Sequence, residues 1–378
     1  MFERKPPRLH VTADDDEFDS SILQHLKDEG FNVTYLPWQN GGKPYRTQLA
    51  HLADDLELGE SYAILSYASA AADCLDYHLK PQPHLAALIA YYPTHIPSPK
   101  ASYPTQLNLL CHIAGSQGFA PAFPSYTYRN ARPGFAEADL EEYNKVAASL
   151  AWTRTLGFLR KNFKIEKGEE LEALRERHSA AVFLRKDVQE VMGSFTGDGW
   201  VTCVPTMTGG MNRQELVMFY KDYFIPSSPP SLNLRLVSRT TGIDRIVDEM
   251  VISFKHTQEV PWILPGVKAT NKVVHVALVS IVTVRGGKLV SEHMYWDQAS
   301  VLVQVGLLDP NLVPGSFQKQ GLKRLPVCGA EAASKVLDEE SKPSNELIPD
   351  WKNRVKRQGA SLPARPKQAV NGGQAGKS

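Results

Sequence analysis

No apolar run in the chain reaches the roughly 18 residues needed to span a bilayer, so a transmembrane helix is not expected. Cysteine is scarce. Cys74, Cys111, Cys203 and Cys328 are the only four, far apart and without metal-ligand spacing, so neither a zinc site nor a disulfide framework is expected. Charge of one sign is lacking too. A formal net charge of +1 provides no overall field for nucleic acid or an anionic membrane, and neither is expected as a partner. The segment from Met1 to Arg8 has no apolar core of a secretory signal, and reduced thiols fit a cytoplasmic protein. The glycine run at Thr208-Gly209-Gly210 lacks the strand, lysine and helix of a phosphate loop, so no nucleotide role is assigned.

What is present is a chain of 378 residues, 42% hydrophobic and 22% charged, long enough for two cores and a tail. In the first half, strands are expected at Arg8 to Ala13, Asn32 to Trp38, Tyr62 to Tyr67, Leu85 to Tyr92 and Leu107 to Ala114. Helices are expected at Phe18 to Glu29, Pro44 to Leu56, from Ala68, and over Glu137 to Asn162. This alternation predicts a parallel sheet covered on both faces, an α/β unit. Charged Lys161 to Glu172 reads as the joint. Beyond it, helices are expected at Leu171 to Val191 and Asn212 to Phe224, with residues 198–200 and 204–210 as loops. Long antiparallel strands follow at Ser231 to Arg239, Arg245 to Lys255, Lys272 to Arg285 and Lys288 to Asp297, the last two joined by a Gly286-Gly287 hairpin. Helices followed by a strand meander predict an α+β cone around a pocket. Residues 339–378 carry Arg354, Lys356, Arg357, Arg365, Lys367 and Lys377 and read as a solvated, disordered basic tail.

The candidate site comes from strand periodicity. On Lys288 to Asp297, the residues Leu289, Ser291, His293, Tyr295 and Asp297 share one face. An imidazole, a phenol and a carboxylate on one face suit a pocket that handles protons. Asp297 is the expected acid/base, or the N-cap of the following helix. His293 is its expected proton partner, Tyr295 a hydrogen-bond donor, and His256, at its own strand end, a rim base or a loop-bonded histidine. Trp262, Tyr220, Phe219 and Trp296 suit an aromatic ligand or the core. Arg239 is expected to pair across strands with Glu249, with Asp248 as the competing partner.

Two resemblances follow. The unit expected over residues 1–163 resembles, from about Leu9 to Phe163, the later part of the dienelactone hydrolase family, α/β hydrolases whose nucleophile sits on a sharp G-x-[CS]-x-G strand-to-helix turn. The corresponding turn is Ser66-Tyr67-Ala68-Ser69-Ala70-Ala71, with Ala68 at the nucleophile position. The family's acid position falls among Ser116, Gln117 and Gly118, and its histidine position on Pro133. An alanine cannot attack and a proline cannot take a proton, so this unit is expected to be inactive. A register slip making Ser69 the nucleophile would need His78, His95 or His112 as base.

The unit expected over residues 164–338 resembles, from Leu171 to about Asp309, the SnoaL-like branch of the NTF2-like superfamily. The resemblance is carried by Ser238-Arg239-Thr240-Thr241-Gly242, Phe254-Lys255-His256-Thr257, Pro261-Trp262-Ile263-Leu264-Pro265-Gly266-Val267 and Tyr295-Trp296-Asp297-Gln298. It implies polyketide-cyclase, isomerase or dehydratase chemistry on a small cyclic carbonyl compound in secondary metabolism, without metal or other cofactor, and a homodimer. The rival expectation is a non-catalytic small-molecule carrier or scaffold, and the least favoured is an esterase.

Overall fold

The computed structural model describes residues 5–98 and 102–357. Strands β1 (Arg8–Ala13), β2 (Asn32–Pro37), β3 (Tyr62–Tyr67), β4 (Leu85–Tyr91), β5 (Asn108–Ala114) and β6 (Ser125–Tyr128) form a six-stranded, all-parallel sheet in the order β2-β1-β3-β4-β5-β6. Helices α1 (Ser20–Asp28) and α4 (Lys145–Phe163) cover one face through Leu26, Ala151 and Leu159. Helices α2 (Gly42–Ala50) and α3 (Ala68–Tyr77) cover the other through Leu49, Cys74 and Leu75. With both faces covered, β3 is buried along its whole length, as its run Tyr62-Ala-Ile-Leu-Ser-Tyr requires. Helix α4 starts at Lys145, not Glu137, because Asn144 caps it by accepting from Ala147 N, and turns precede it.

The second sheet is mixed, in the order β8-β7-β12-β11-β10-β9. Its strands are β7 (Phe195–Cys203), β8 (Thr208–Gly210), β9 (Asn233–Thr241), β10 (Arg245–Lys255), β11 (Val273–Arg285) and β12 (Lys288–Trp296). The antiparallel meander β9 to β12 follows the expected order, and Gly286 and Gly287 stand at φ +55° and +70°, as a tight hairpin needs. Residues 198–200 and 208–210, expected as loops, are instead strand, with β7 pairing parallel to β12. Gly209 permits this, since a Cβ there would fall 1.9 Å from Val201 O. Helix α5 (Gly168–Ala180) runs into a π-helical turn, Ala181–Arg185, and then α6 (Val188–Gly193). Helix α7 (Arg213–Met218) likewise runs into a π-helical turn, Phe219–Phe224. These helices close the inner face of the sheet over a core containing Phe195, Tyr220, Ile246, Phe254 and Leu278. Helix α8 (Gln298–Val305) and, after the four-residue α9 (Gly315–Gln318), helix α10 (Glu331–Leu337) pack against β11. Of the segment expected as tail, residues 358–378 lie outside the described residues, and Trp351–Arg357 forms a short helix, α11. No helix among the described residues is long and apolar enough to cross a membrane.

The two sheets are tied together by polar contacts. Arg160 on α4 pairs with buried Glu29 at 2.6 Å and also donates to Ile243 O. The other oxygen of Glu29 accepts from Gly286 N at 3.0 Å. Thr153 donates to buried Asp244 at 2.9 Å, and Arg245 donates to Ser149 at 2.9 Å. The turns at 242–245 and 286–287 are thereby anchored on the first unit.

Four buried histidines are held neutral, each mainly by burial: His10, His78 and His178 are pushed down to about 4 and His112 to about 3. Their ordinary value is near 6.5, so below it the unfolded chain binds protons that the folded one refuses. Stability is therefore full above pH 6.5 and is lost as pH falls toward 4. Glu137, pushed up to about 7 by burial, works in the opposite direction, one group against four. Thermal unfolding midpoints are expected to fall steadily between pH 6.5 and 4; a flat or rising midpoint would contradict this balance.

Candidate functional site

The cavity lies between the inner face of the mixed sheet and the helices that close it, and has a volume of about 220 Å³. Its walls are largely apolar, including Val182, Phe183, Phe224, Leu234, Ile252 and Met294. Both π-helical turns contribute to them, and such turns occur often at functional sites. Exposed Leu236 on the edge strand β9 and exposed Glu176 on α5 lie on its solvent side. The volume is below the roughly 300–1,000 Å³ of drug-sized ligand sites, which suits a compact ligand.

Across this apolar floor runs one polar row. Arg239 on β9 stands opposite Asp248 on β10, Asp248 opposite Ser280 on β11, and Glu292 on β12 lies diagonally beyond. Arg175 descends onto the row from α5. Its Nε donates to Asp248 Oδ2 at 2.8 Å, and its Nη2 donates to Glu292 Oε1 at 3.0 Å and Ser280 Oγ at 3.1 Å. Ser280 Oγ–H also donates to Glu292 Oε1 at 2.6 Å. Arg239 donates to both oxygens of Asp248, at 2.6 and 3.1 Å, and pairs at the solvent side with Glu176. Arg175, Asp248 and Glu292 are thus buried together, with half-buried Arg239 balancing the charges, the condition under which burial is tolerated.

Burial works to raise the Glu292 carboxyl, but the Arg175 charge, aided by the hydrogen bond from Ser280, holds it below the ordinary carboxylate range. Asp248 is likewise held low against burial, by Arg239 and Arg175. Burial pushes the Tyr220 phenol well above its ordinary value, so it stays protonated in the cavity wall. His178 completes the site. Ser194 Oγ–H donates to Val191 O at 2.6 Å, so it accepts from His178 Nδ1–H at 2.8 Å. The neutral ring therefore turns an unprotonated Nε2 toward Glu292 Oε2, 3.9 Å away. Two proton acceptors face each other across that gap.

The expected site residues are distributed differently. His293, Tyr295 and Asp297 lie on the opposite face of β12. His293 packs edge-on against Trp200, Tyr295 is 41% exposed, and exposed Asp297 caps α8 by accepting from Ala299 N at 3.0 Å. The reason is a bulge: Thr283 pairs with Ser291 but Val284 with Leu289, so Val290 is an extra residue. One extra residue reverses the alternation, placing Leu289 with Glu292, Met294 and Trp296 inside, not with His293. His256 is buried outside the cavity, its Nδ1 accepting from Thr270 N at 3.2 Å. Arg239 pairs with Asp248, while Glu249 accepts from the Ser238 hydroxyl, correcting the expected Arg239–Glu249 pair. Tyr220 and Trp262 line the cavity; Phe219 and Trp296 belong to the core around it.

In the first unit, Ala68 stands at φ +48° between β3 and α3. Gln117 binds its own turn, accepting from Ala114 N and donating to Pro93 O, and Pro133 lies in the turn before buried Phe135. His78 bonds Cys74 O, His95 bonds Asp76, and His112 bonds Tyr128 and Thr155, so none of the three has a hydrogen bond to Ser69.

Sequence reading missed Arg175, His178, Asp248's central place and Glu292. A signal existed, because Leu171, Leu174, Arg175, His178 and Val182 recur at helical spacing on one buried stripe. Replacing Arg175 by Leu strands Glu292 and leaves Asp248 with Arg239 alone. We expect a loss of about 3–5 kcal/mol in denaturant unfolding. Arg185→Ala, which breaks an exposed ion pair, should cost nothing measurable; equal effects would contradict the network's role.

No protein-family model matches the chain, and no curated protein matches it. The solved structures it resembles include a ketosteroid isomerase-like fold protein from Catenulispora acidiphila, bound to trimethylamine, at 16% identity. That match covers 36% of this chain and 93% of the other, with a TM-score of 0.29. An NTF2-like protein from Burkholderia xenovorans matches at 15% identity over 36% of this chain and 97% of its own, TM-score 0.29. A candidate SnoaL-like polyketide cyclase from Jannaschia sp. CCS1 matches at 13% identity over 36% of this chain and 94% of its own, TM-score 0.30.

Proposed function

We propose that the chain moves a proton on a small, cyclic or polyketide-like carbonyl compound held in the cavity, with Glu292 and His178 as the working pair. The reading is that of a SnoaL-like unit, residues 164–338, carried by an inactive hydrolase-like unit, residues 1–163. The observation that carries it is the 3.9 Å gap between His178 Nε2 and Glu292 Oε2 at the polar end of an apolar cavity. A C–H beside a carbonyl, approaching His178 Nε2 from the cavity, gives its proton to that nitrogen. The C–H electron pair becomes the enolate C=C and the carbonyl π pair moves to oxygen. The Glu292 carboxylate stabilises the imidazolium formed, and the proton returns at another carbon or leaves with a hydroxyl. Isomerisation, cyclisation and dehydration share this first step. For the first unit, the reading draws on Ala68, left-handed at the strand-to-helix turn where the resemblance places a nucleophile.

A second reading, ligand binding without turnover, is favoured by one observation. Burial pushes His178 down to about 4, which weakens it as a base. Deuterium exchange of the α-protons of cyclohexanone, followed by proton NMR, separates the two. Proton transfer predicts acceleration over buffer, falling about 100-fold in Glu292→Gln and in His178→Gln and unchanged in Asp297→Asn. Exchange at the buffer rate would favour the binding reading, and exchange lost only in Asp297→Asn would move the site to the outer face.

A further inference from the structure

The polar row of this cavity is satisfied except at one end. Asp248 Oδ1 accepts from Arg239 Nε, and Asp248 Oδ2 from Arg175 Nε and Arg239 Nη2. Glu292 Oε1 accepts from Arg175 Nη2 and from the Ser280 hydroxyl. Glu292 Oε2 and His178 Nε2 receive no hydrogen bond among the described residues, and at 3.9 Å they do not bond each other. Their residues are 4% and 2% exposed, and both line the cavity. The two atoms still keep accessible surface, unlike Trp262 Nε1, which is closed off, so the surface they keep belongs to the cavity.

Both atoms are acceptors. His178 Nδ1–H donates to Ser194 Oγ, which leaves Nε2 a lone pair, and a carboxylate oxygen only accepts. Water serves such atoms well. A ligand that displaces it must donate in its place, or leave a carboxylate oxygen and a ring nitrogen stranded in an apolar pocket. An anion would bring only further acceptors. A neutral O–H and a cationic N–H both meet the demand. With that donor about 2.8 Å from Glu292 Oε2, an adjoining C–H stands beside His178 Nε2, as the proposed function requires. The walls take the rest of the molecule, since Phe183, Phe224, Ile252 and Met294 offer it apolar surface.

We propose that Glu292 Oε2, with His178 Nε2 beside it, is a donor-recognising subsite, and that the ligand is a compact molecule with an apolar body and an O–H or N–H group directed at this pair. This rests on the cavity being the ligand site of the proposed function, and adds a group that the ligand carries beside its carbonyl. Binding of benzyl alcohol, benzylammonium, ethylbenzene and benzoate to the full chain at pH 7.5 tests it, by saturation-transfer NMR titration. The four are similar in size and differ at one end: a neutral donor, a cationic donor, a methyl group and an anion. The better of the two donors is expected to bind about tenfold more tightly than ethylbenzene, with benzoate weakest, and its identity tells whether the subsite takes a neutral or a cationic donor. Glu292→Gln puts an amide N–H where Oε2 stands. It should weaken the better donor about five- to tenfold and leave ethylbenzene unchanged. Ethylbenzene or benzoate binding as tightly as the better donor, or equal weakening of donor and ethylbenzene in the variant, would overturn the proposal while leaving the cavity as the ligand site. If none of the four binds, the cavity reading falls and the proposal with it.

Discussion

A guanidinium buried in an apolar sheet dictates the rest of this structure. Arg175 has almost no solvent contact, so its charge must be met by the protein. That demand places Asp248, Ser280 and Glu292 on three adjacent strands within reach of one helix, and brings Arg239 to share Asp248. Register follows from it. A one-residue slip of any of these strands would bury the wrong side chain and strand a charge. Apolar residues surround the row, and His178 Nε2 and Glu292 Oε2 stand 3.9 Å apart at its end.

The first unit bears on this arrangement through turns, not through the cavity. Glu29 links Arg160 and Gly286 N, and Asp244 takes Thr153, so the β9–β10 and β11–β12 turns are held from outside. Gly157 on α4 allows this closeness, since a Cβ there would come within 3.2 Å of Ile243. The turns set the ends of the strands that carry Arg239, Asp248, Ser280 and Glu292. A parallel sheet whose strand-to-helix turn presents an alanine can thus contribute as a frame.

Much of the architecture was legible in the sequence because periodicity and glycine act locally. The continuous apolar runs of β3 to β5 and the Gly286-Gly287 turn marked those strands and the β11–β12 hairpin directly, whereas β6 was not expected. What failed was long-range or phase-shifted. Strand β7 contains Asp198, Gly199 and Trp200, which read as a loop until β12 pairs alongside, Ser291 opposite Trp200. The π-helical turn at Ala181–Arg185 shifts the helix phase, so Leu184, which helical spacing sends inward, is 80% exposed. The Val290 bulge did the same to the site, sending the ionisable trio of His293, Tyr295 and Asp297 outward. Arg175 sits among glutamates and arginines that look like a solvated surface, and only its partners, some seventy to over a hundred residues away, reveal it as buried.

In the proposed function, ligand meets the inner face of β12, the side of Glu292, and not the outer face, the side of His293. Each face carries its own tryptophan reporter, Trp262 inside and Trp200 packed on His293 outside. The most direct measurement is therefore an acetophenone titration of the nitrogen-15-labelled chain, followed at the indole N–H resonances. A progressive shift of Trp262 with Trp200 unmoved is expected. A shift of Trp200 with Trp262 unmoved would contradict it and return the site to the outer face.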